Sequence, residues 1–306
     1  MTECPDIKKH RVCDDFSRAA PSYDDAAVVQ HEVCKRALQR VDMLELKPAT
    51  VLDVGCATGR CLQGLASRFP RSLMLACDLA MPMLLQHRRQ PAGPGAARLV
   101  CCDAEQMPFD EGTVDLLFST STFQWCTDLP RVLAECGRVL CAGGVLLFTT
   151  FGPDTLLQLR RSFARVDDLP HVHEFIDMHH IGDMMVEAGF VDPVVDMEMI
   201  DIQYPSVQQL LRDLKATGSQ AKFEASRSKP PGLMGKRKFR SLLEAYEAYR
   251  LENGRFPASY EVIYGYARKP AHPGSTAAGP GEVRVPASGI RKLGEVQGLH
   301  GGTKTE

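Results

Sequence analysis

The chain has 306 residues, 44% of them hydrophobic, and a formal net charge of -2. This length permits one large α/β domain or two small ones, and the balanced charge argues against general nucleic-acid binding. The eleven cysteines form no Cys-x-x-Cys pair, so we expect free thiols in a reducing cytosol and no metal site. The sequence has no apolar run long enough for a membrane span and no apolar signal core, which favours a cytoplasmic protein without a membrane partner.

The first half of the chain alternates predicted strands with predicted helices. Residues 1–22 are polar and predict a flexible arm. Helices are expected over 26–46, 58–69, 82–89 and 129–140. Strands are expected over 51–54, 73–78, 98–102, 114–119 and 145–150. This alternation is typical of a doubly wound, mainly parallel sheet.

The second half has a looser pattern. Helices are expected over 154–166, 177–188, 207–216 and 236–252, with an extended segment over 192–204 and a strand over 260–267. The sheet then has seven strands, with helical insertions. We place one domain over 23–268, with a cofactor half (48–150) and an acceptor half (151–268), and a disordered Gly/Pro-rich tail over 269–306.

A glycine-rich turn follows the first predicted strand. Its pattern is Asp53-x-Gly55-x-Ala57-x-Gly59, and a helical pattern begins directly after it. A strand, tight turn and helix start are how α/β sheets build nucleotide sites. An NAD site needs G-x-G-x-x-G, which is not present. The spacing fits the D-x-G-x-[GA]-x-G pattern of class I S-adenosylmethionine-dependent methyltransferases, in which Asp53 reaches the amino-acid end of the cofactor.

Acids end three successive predicted strands: Asp53, Asp78 and Asp103. The carboxyl ends of parallel strands share one sheet edge, where such folds bind ligands. We expect Asp78 to accept hydrogen bonds from ribose hydroxyls. We expect adenine to bind at the segment Asp103-Ala104-Glu105. Leu79 and Met83 are expected to supply apolar contacts to the base.

Several segments resemble the malonyl-acyl carrier protein O-methyltransferase family of biotin synthesis. They are Phe16-x-x-Ala19-Ala20-x-x-Tyr23, the glycine turn, Cys102-Asp103-Ala104-Glu105-x-x-Pro108, Ser119-x-x-x-x-Gln124-Trp125-Cys126, Leu211-Arg212-x-Leu214-Lys215-x-x-Gly218 and Gly254-Arg255-Phe256-Pro257-x-Ser259-Tyr260. The resemblance covers residues 12–268 and implies a Rossmann-like class I fold with an N-terminal lid helix at Tyr23. It also places Ser119 at the cofactor. Ala57 departs from the glycine that many relatives carry.

The resemblance implies methyl transfer from S-adenosylmethionine to the free carboxylate of a malonyl thioester on acyl carrier protein. A carboxylate is ionised at pH 7, so no general base is expected. Substrate positioning is assigned to Tyr23, Gln124, Trp125, Arg212 and Lys215, with Arg212 as the candidate fork for the carboxylate.

A basic segment follows the acceptor residues and is expected to dock the acidic carrier protein. Its candidate residues are Lys222, Arg227, Lys229, Lys236, Arg237, Lys238 and Arg240. Four alternatives remain open at this point: a different small-molecule or quinone methyltransferase, a protein hydroxylase-like respiratory-complex assembly factor, an NAD(P) oxidoreductase disfavoured by the loop spacing, and a non-catalytic carrier-binding module.

Overall fold

The computed structural model describes residues 9–89, 97–219 and 235–271. Its α-helices are α1 (Lys9–Ala19), α2 (Tyr23–Ala26), α3 (Val28–Asp42), α4 (Arg60–Arg68), α5 (Met81–Arg89), α6 (Leu129–Val139), α7 (Leu157–Phe163), α8 (Met178–Glu187), α9 (Val207–Ala216) and α10 (Lys236–Tyr246). Its strands are β1 (Thr50–Val54), β2 (Leu73–Asp78), β3 (Arg98–Cys101), β4 (Val114–Ser119), β5 (Leu140–Phe151), β6 (Val191–Tyr204) and β7 (Phe256–Arg268).

The strands form one sheet in the order β3-β2-β1-β4-β5-β7-β6. Strands β1 to β5 pair in parallel, and β7 is antiparallel to both of its neighbours. The predicted mainly parallel seven-stranded sheet is therefore confirmed. The strand order reverses between β1 and β4, and ligands bind at such a reversal, outside the carboxyl ends of the strands.

Two apolar layers cover the faces of the sheet. Side chains alternate along a strand, so Leu116 and Phe118 of β4 enter one layer while Leu117 enters the other. Helix α3 contributes Val33 to the first layer, and α6 contributes Leu133 to the second. A parallel sheet covered on both faces in this way is rigid, which fixes the positions of the loops at its carboxyl edge.

The N-terminal arm differs from the sequence prediction. Residues 9–22 form α1 and a 3-10 turn (Ala20–Ser22), with Val12 and Ala19 buried, so this part of the predicted flexible arm is wrong. The sequence did not predict this helix because most of its residues are polar and its few apolar side chains lie on one face. The predicted helix over 26–46 is divided at Ala27, whose ψ of 43° interrupts the helix between α2 and α3.

The structure also bears on the predictions for the cysteines, the two ends of the chain, membrane spans and metal sites. Cys34 of α3 is paired with Cys61 of α4 in a disulfide, with their Cα atoms 5.9 Å apart, whereas the sequence predicted free thiols. Residues 1–8 of the predicted arm and 272–306 of the predicted tail lie outside the described residues. In the described ranges, no helix is long and apolar enough to cross a membrane, and no cluster of His, Cys, Asp or Glu is suited to a metal.

Candidate active site

The turn after β1 is held against β2 by its own backbone. The N–H groups of Gly55 and Cys56 both donate to the carbonyl of Cys77, over 2.8 and 3.0 Å. Gly55, Ala57 and Gly59 have φ angles of 71°, 47° and 85°, a region that glycine adopts without strain. A Cβ at Gly55 would lie 2.2 Å from the Thr122 side chain. The turn therefore brings bare backbone to the sheet edge.

A central cavity opens at this edge and holds about 720 Å³ of atom-free space, including its open mouth. Eight of its lining residues were predicted for cofactor binding: Gly55, Ala57, Asp78, Leu79, Met83, Asp103, Ala104 and Glu105. Tyr23 and Trp125, which were predicted to position the substrate, line it as well. The structure thus brings together most of the predicted cofactor residues.

Asp53 lies at the end of β1, behind the cavity lining. Its side chain is 1% exposed, and its Oδ2 atom has no hydrogen-bond partner among the described residues. Burial, with a smaller contribution from the charge of Asp78, raises the pKa of Asp53 to about 8. A buried acid without a partner is costly in a folded protein. Asp53 is therefore suited to a cationic group that arrives with a ligand.

Asp78 ends β2 and faces the cavity. Its Oδ2 accepts the N–H of Ala57 over 2.9 Å, and its Oδ1 accepts the N–H of Ala80 over 2.8 Å. Burial raises the pKa of Asp78 to about 6, although these two hydrogen bonds act in the opposite direction. A carboxylate has about four acceptor positions, so Asp78 can still accept from a pair of ligand hydroxyls.

The third acidic segment follows β3. Glu105 is buried and accepts hydrogen bonds from the backbone N–H and the hydroxyl of Thr127, each over 2.7 Å. Lys9 of α1 bonds to Asp103 over 2.7 Å and also to Glu105. Burial acts to lower the pKa of Lys9, but its two carboxylate partners outweigh burial and the net shift is upward. The first helix is thereby attached to the predicted adenine segment.

Helix α1 forms one wall of the cavity through Lys9, Val12 and Phe16. The Phe16 ring packs edge-on against Trp125 with centroids 5.2 Å apart. Sequence reasoning placed the lid at Tyr23 and missed Lys9 and Val12. Lys9, Val12 and Phe16 lie at positions i, i+3 and i+7, which is the spacing of a single helix face. The charged residues between them obscured this pattern.

Like Asp53, three further predicted residues on the first half of the chain lie outside the central cavity lining. Ser119 is fully buried, and its hydroxyl donates to the Val54 carbonyl over 2.8 Å, so the predicted cofactor contact is corrected to a strand-to-strand bond. Gly59 precedes α4, where a Cβ would lie 2.1 Å from the His87 ring. Gln124 is buried and donates to the Ser121 carbonyl over 2.6 Å. These three residues lie behind the cavity lining and support it.

A second cavity adjoins the first, and Trp125 lines both. Its walls are largely apolar, including Phe151 and Phe175. Polar side chains that reach it include Gln30, His173, Tyr204 and Asp213. The molecule thus has two adjoining chambers at the carboxyl edge of the sheet, with its one tryptophan at their junction.

Arg212 and Lys215 do not line either chamber. Helix α9 turns Asp213, Leu214 and Thr217 toward the second cavity, while Arg212 and Lys215 line a separate outer groove on its other side. A helix places residues at i and i+1 about 100° apart, which the sequence signature alone did not resolve into faces. Arg212 was predicted as the fork that binds the substrate carboxylate, and its place in the outer groove corrects that prediction.

The matches to known proteins agree with this geometry. A family model described as a methyltransferase domain matches residues 52–148. The crystal structure of the YcgJ protein from Bacillus subtilis superposes with a TM-score of 0.56, covering 77% of this chain and 99% of that chain at 17% identity. The [4+2]-cyclase SpnF superposes with a TM-score of 0.50 at 17% identity, covering 79% of this chain and 81% of that chain. The fold, the glycine turn and the domain match define an S-adenosylmethionine-dependent methyltransferase of class I.

Relatives that match over most of their length identify the family within this class. A malonyl-acyl-carrier-protein O-methyltransferase from Gallionella capsiferriformans is 43% identical over 271 residues, covering 87% of this chain and 92% of that protein. One from Coxiella burnetii is 43% identical over 249 residues, covering 81% and 84%. The chain belongs to the malonyl-acyl-carrier-protein O-methyltransferase family. These matches do not favour the alternative functions that the sequence left open.

Proposed function

We propose that this protein transfers the methyl group of S-adenosylmethionine to the free carboxylate of a malonyl group carried by acyl carrier protein. The observation that carries the proposal is the 43% identity to relatives of that name over nearly their full length. The resulting methyl ester would serve the synthesis of the pimeloyl part of biotin, as the family resemblance implies. Two adjoining chambers offer separate places for a donor and an acceptor.

The residues around the central cavity are chemically suited to the donor. Asp53, buried and lacking a partner on Oδ2, suits the ammonium of the amino-acid end. Asp78 suits the ribose hydroxyls, and the Asp103–Glu105 segment suits adenine, with Leu79 and Met83 as apolar contacts. When bound, the donor supplies a methyl group activated by a sulfonium.

The protein then has to bind the donor and the acceptor, align them for methyl transfer and exclude water from them. The acceptor carboxylate is ionised at pH 7, so no side chain must remove a proton. Fixing two reactants in line contributes on the order of 7–11 kcal/mol at best. Helix α1 covers one wall of the donor chamber, and Phe16 and Trp125 exclude water from the junction of the two chambers. Tyr23 lines the donor chamber, from which it can orient the incoming carboxylate.

Two basic surfaces support docking of an acidic carrier protein. Lys236, Arg237 and Lys238 lie exposed in the first turn of α10, whose N-cap Gly235 supplies no side-chain cap. Cations at a helix N-terminus are unfavourable beside its positive dipole end, so an anionic partner stabilises this arrangement. Lys238 forms an ion pair with Asp167 over 2.7 Å.

The second basic surface is the outer groove. It is lined by Arg18 and Asp15 of α1, which form an ion pair, and by Arg212 and Lys215 of α9, which leave it with a net positive charge. We therefore assign Arg212 and Lys215 to carrier recognition. Arg240 is exposed on α10. The remaining predicted docking residues, Lys222, Arg227 and Lys229, lie outside the described residues.

The proposal is tested with methyl-labelled donor and three acceptors: malonyl-carrier protein, malonyl-coenzyme A and acetyl-carrier protein. We expect base-labile label on the malonyl-carrier protein and none on the acetyl form, which has no free carboxylate. Tight donor binding with no transfer to any malonyl thioester would contradict the proposal and favour a different acceptor or a non-catalytic role.

A further inference from the structure

The second cavity contains a feature that the methyl-transfer reaction alone does not explain. Tyr204 of β6 and Tyr260 of β7 are each 5% exposed and line its wall. Their hydroxyls interact with each other, and each affects the pKa of the other. Even where two hydroxyls bond to each other, the pair has two protons and uses only one between its members. At least one O–H donor is therefore left for a third group.

Asp213 faces the same cavity from α9. Its Oδ1 accepts the side-chain N–H of Gln209 over 2.6 Å, which holds the carboxylate in place. Burial raises the pKa of Tyr204 and of Tyr260, and the charge of Asp213 adds to both shifts. Both tyrosines therefore keep their protons at neutral pH. No arginine or lysine in the described part of the chain lines this cavity.

These groups suit one end of the acceptor better than the other. A malonyl thioester has a carboxylate at one end and a neutral carbonyl at the other. An anion beside Asp213 is repelled in a chamber of low dielectric, whereas a neutral carbonyl oxygen accepts a hydrogen bond there without charge repulsion. The carboxylate is attracted instead toward the junction at Trp125, next to the chamber of a cationic donor.

We propose that the second cavity binds the thioester end of the acceptor, that the Tyr204–Tyr260 hydroxyl pair donates to the thioester carbonyl, and that Asp213 orients the carboxylate toward the donor. This inference rests on the proposed function. Tyr204 and Asp213 are then positioning residues of the acceptor, and no bond to the thioester is made or broken.

The path of the carrier arm agrees with this orientation. Thr217 and Ser219 line the second cavity, while Gly218 between them lines the outer groove of Arg18, Arg212 and Lys215. The end of α9 therefore separates the basic groove from the acceptor chamber by about one residue. A carrier protein docked at the groove has its thioester arm next to this chamber.

The test compares two ligands on the protein saturated with S-adenosylhomocysteine, so that no transfer occurs. One is malonyl-carrier protein, and the other is its thioether analogue, in which a methylene replaces the thioester carbonyl. Calorimetry is expected to give the wild type a Kd for the malonyl form about three- to tenfold lower, the worth of one neutral hydrogen bond. Tyr204→Phe is expected to bind both forms equally, at the weaker level.

Tyr249→Phe is the matched control, because Tyr249 lies outside both chambers and packs against Tyr246. It is expected to keep the wild-type ratio of the two Kd values. Retention of that ratio by Tyr204→Phe would overturn the inference, as would equal binding of both ligands by the wild type. A wild type that methylates no malonyl-carrier protein would instead overturn the proposed function.

Asp213→Asn supplies a kinetic check on orientation. Without the charge, the acceptor also binds with its carboxylate in the wrong chamber, and unproductive binding lowers kcat and KM by the same factor. We expect this parallel fall in Asp213→Asn with an unchanged Kd for S-adenosylhomocysteine. A rise in KM with kcat unchanged would show that Asp213 attracts the acceptor and would overturn the orienting role.

Discussion

The backbone N–H of Ala57 donates to the carboxylate of Asp78 over 2.9 Å and so joins the loop after β1 to the end of β2. Ala57 has a φ of 47°, in the left-handed region that costs a non-glycine residue about 1–2 kcal/mol. The hydrogen bond offsets part of this strain. The same contact aims Asp78 into the donor chamber, so loop geometry and ligand recognition are coupled.

Replacing Ala57 with glycine removes the left-handed penalty and keeps the backbone N–H. Glycine also gains freedom in the unfolded chain, which reduces the benefit. We expect a net stabilisation of about 0.5–1 kcal/mol and a rise in Tm of about 1–2 °C in thermal unfolding. The affinity for S-adenosylhomocysteine is expected to stay within about twofold, because the hydrogen bond to Asp78 remains.

Gly55→Ala is the opposing variant in the same loop. Its Cβ would lie 2.2 Å from the Thr122 side chain at a φ of 71°. We expect a loss of about 1–3 kcal/mol in the free energy of unfolding and weaker donor binding. An Ala57→Gly variant less stable than the wild type would show that the left-handed turn is not strained by alanine.

The raised pKa of Asp53 predicts that a proton is released when the donor binds. Its pKa of about 8 keeps it largely protonated at pH 7 in the free protein, and a bound ammonium would lower that pKa and drive ionisation. Calorimetry of S-adenosylhomocysteine binding at pH 7, in buffers of different ionisation enthalpy, is expected to show release of about one proton. Asp53→Asn is expected to abolish the release and weaken binding. Equal proton release in both proteins would assign the proton to another group.

The raised pKa of Asp53 also makes the stability of the free protein depend on pH. The folded-state pKa of Asp53 lies above its ordinary value of 3.8, so the folded state binds more protons than the unfolded state. The stability that Asp53 contributes is present below pH 3.8 and is lost as the pH rises through about 8. Denaturant unfolding is expected to show a shallower loss over this window in Asp53→Asn. A parallel pH profile in the two proteins would contradict the raised pKa.

Phe16 is expected to close the junction of the two chambers against water. Trp125 is the one tryptophan of the chain, so its fluorescence reports on this junction directly. Phe16→Ala removes the edge-on ring contact at 5.2 Å and is expected to shift the emission to longer wavelength and weaken S-adenosylhomocysteine binding about three- to tenfold. Phe16→Leu keeps an apolar contact and serves as the control. An unchanged emission in Phe16→Ala would mean that α1 does not shield Trp125.

Charge reversal tests the carrier-docking surfaces. Lys236→Glu with Arg237→Glu is expected to raise KM for malonyl-carrier protein about tenfold or more, with less effect on malonyl-coenzyme A, because the exposed charges act through the carrier. Lys35→Glu is a suitable control, since Lys35 is exposed on α3. Equal losses with both acceptors would show that these residues act on the shared malonyl group or on folding.

The parallel part of the fold was predictable because its physical signals are local. Apolar runs ending in Asp53, Asp78 and Asp103 mark strand ends, and the parallel topology brings those ends to one edge. Helix α1 was not predictable in the same way. Its stability comes from Val12 and Phe16 packing on residues far away in sequence, such as Trp125, and tertiary packing of this kind overrides a polar local pattern.

The acceptor side was the hardest part to predict. A signature such as Arg212-x-Leu214-Lys215 shows which residues are present but not which helix face meets the chamber. The fold turns Asp213 and Leu214 inward and Arg212 outward. Tyr204 and Tyr260 reach the second cavity from neighbouring strands whose antiparallel register places Tyr204 opposite Phe256 and Tyr260 opposite Ile200. Such long-range register leaves no trace in local periodicity.

The most direct test of the central claim is the position of the transferred methyl group. Mass spectrometry of the carrier protein after reaction, with fragmentation of its pantetheine arm, locates that group. We predict one added methyl on the arm-bound malonyl group, released by mild base as expected of a methyl ester. A methyl group on a carrier side chain, or an unmodified malonyl arm despite turnover of the donor, would contradict the assignment of carboxylate methylation.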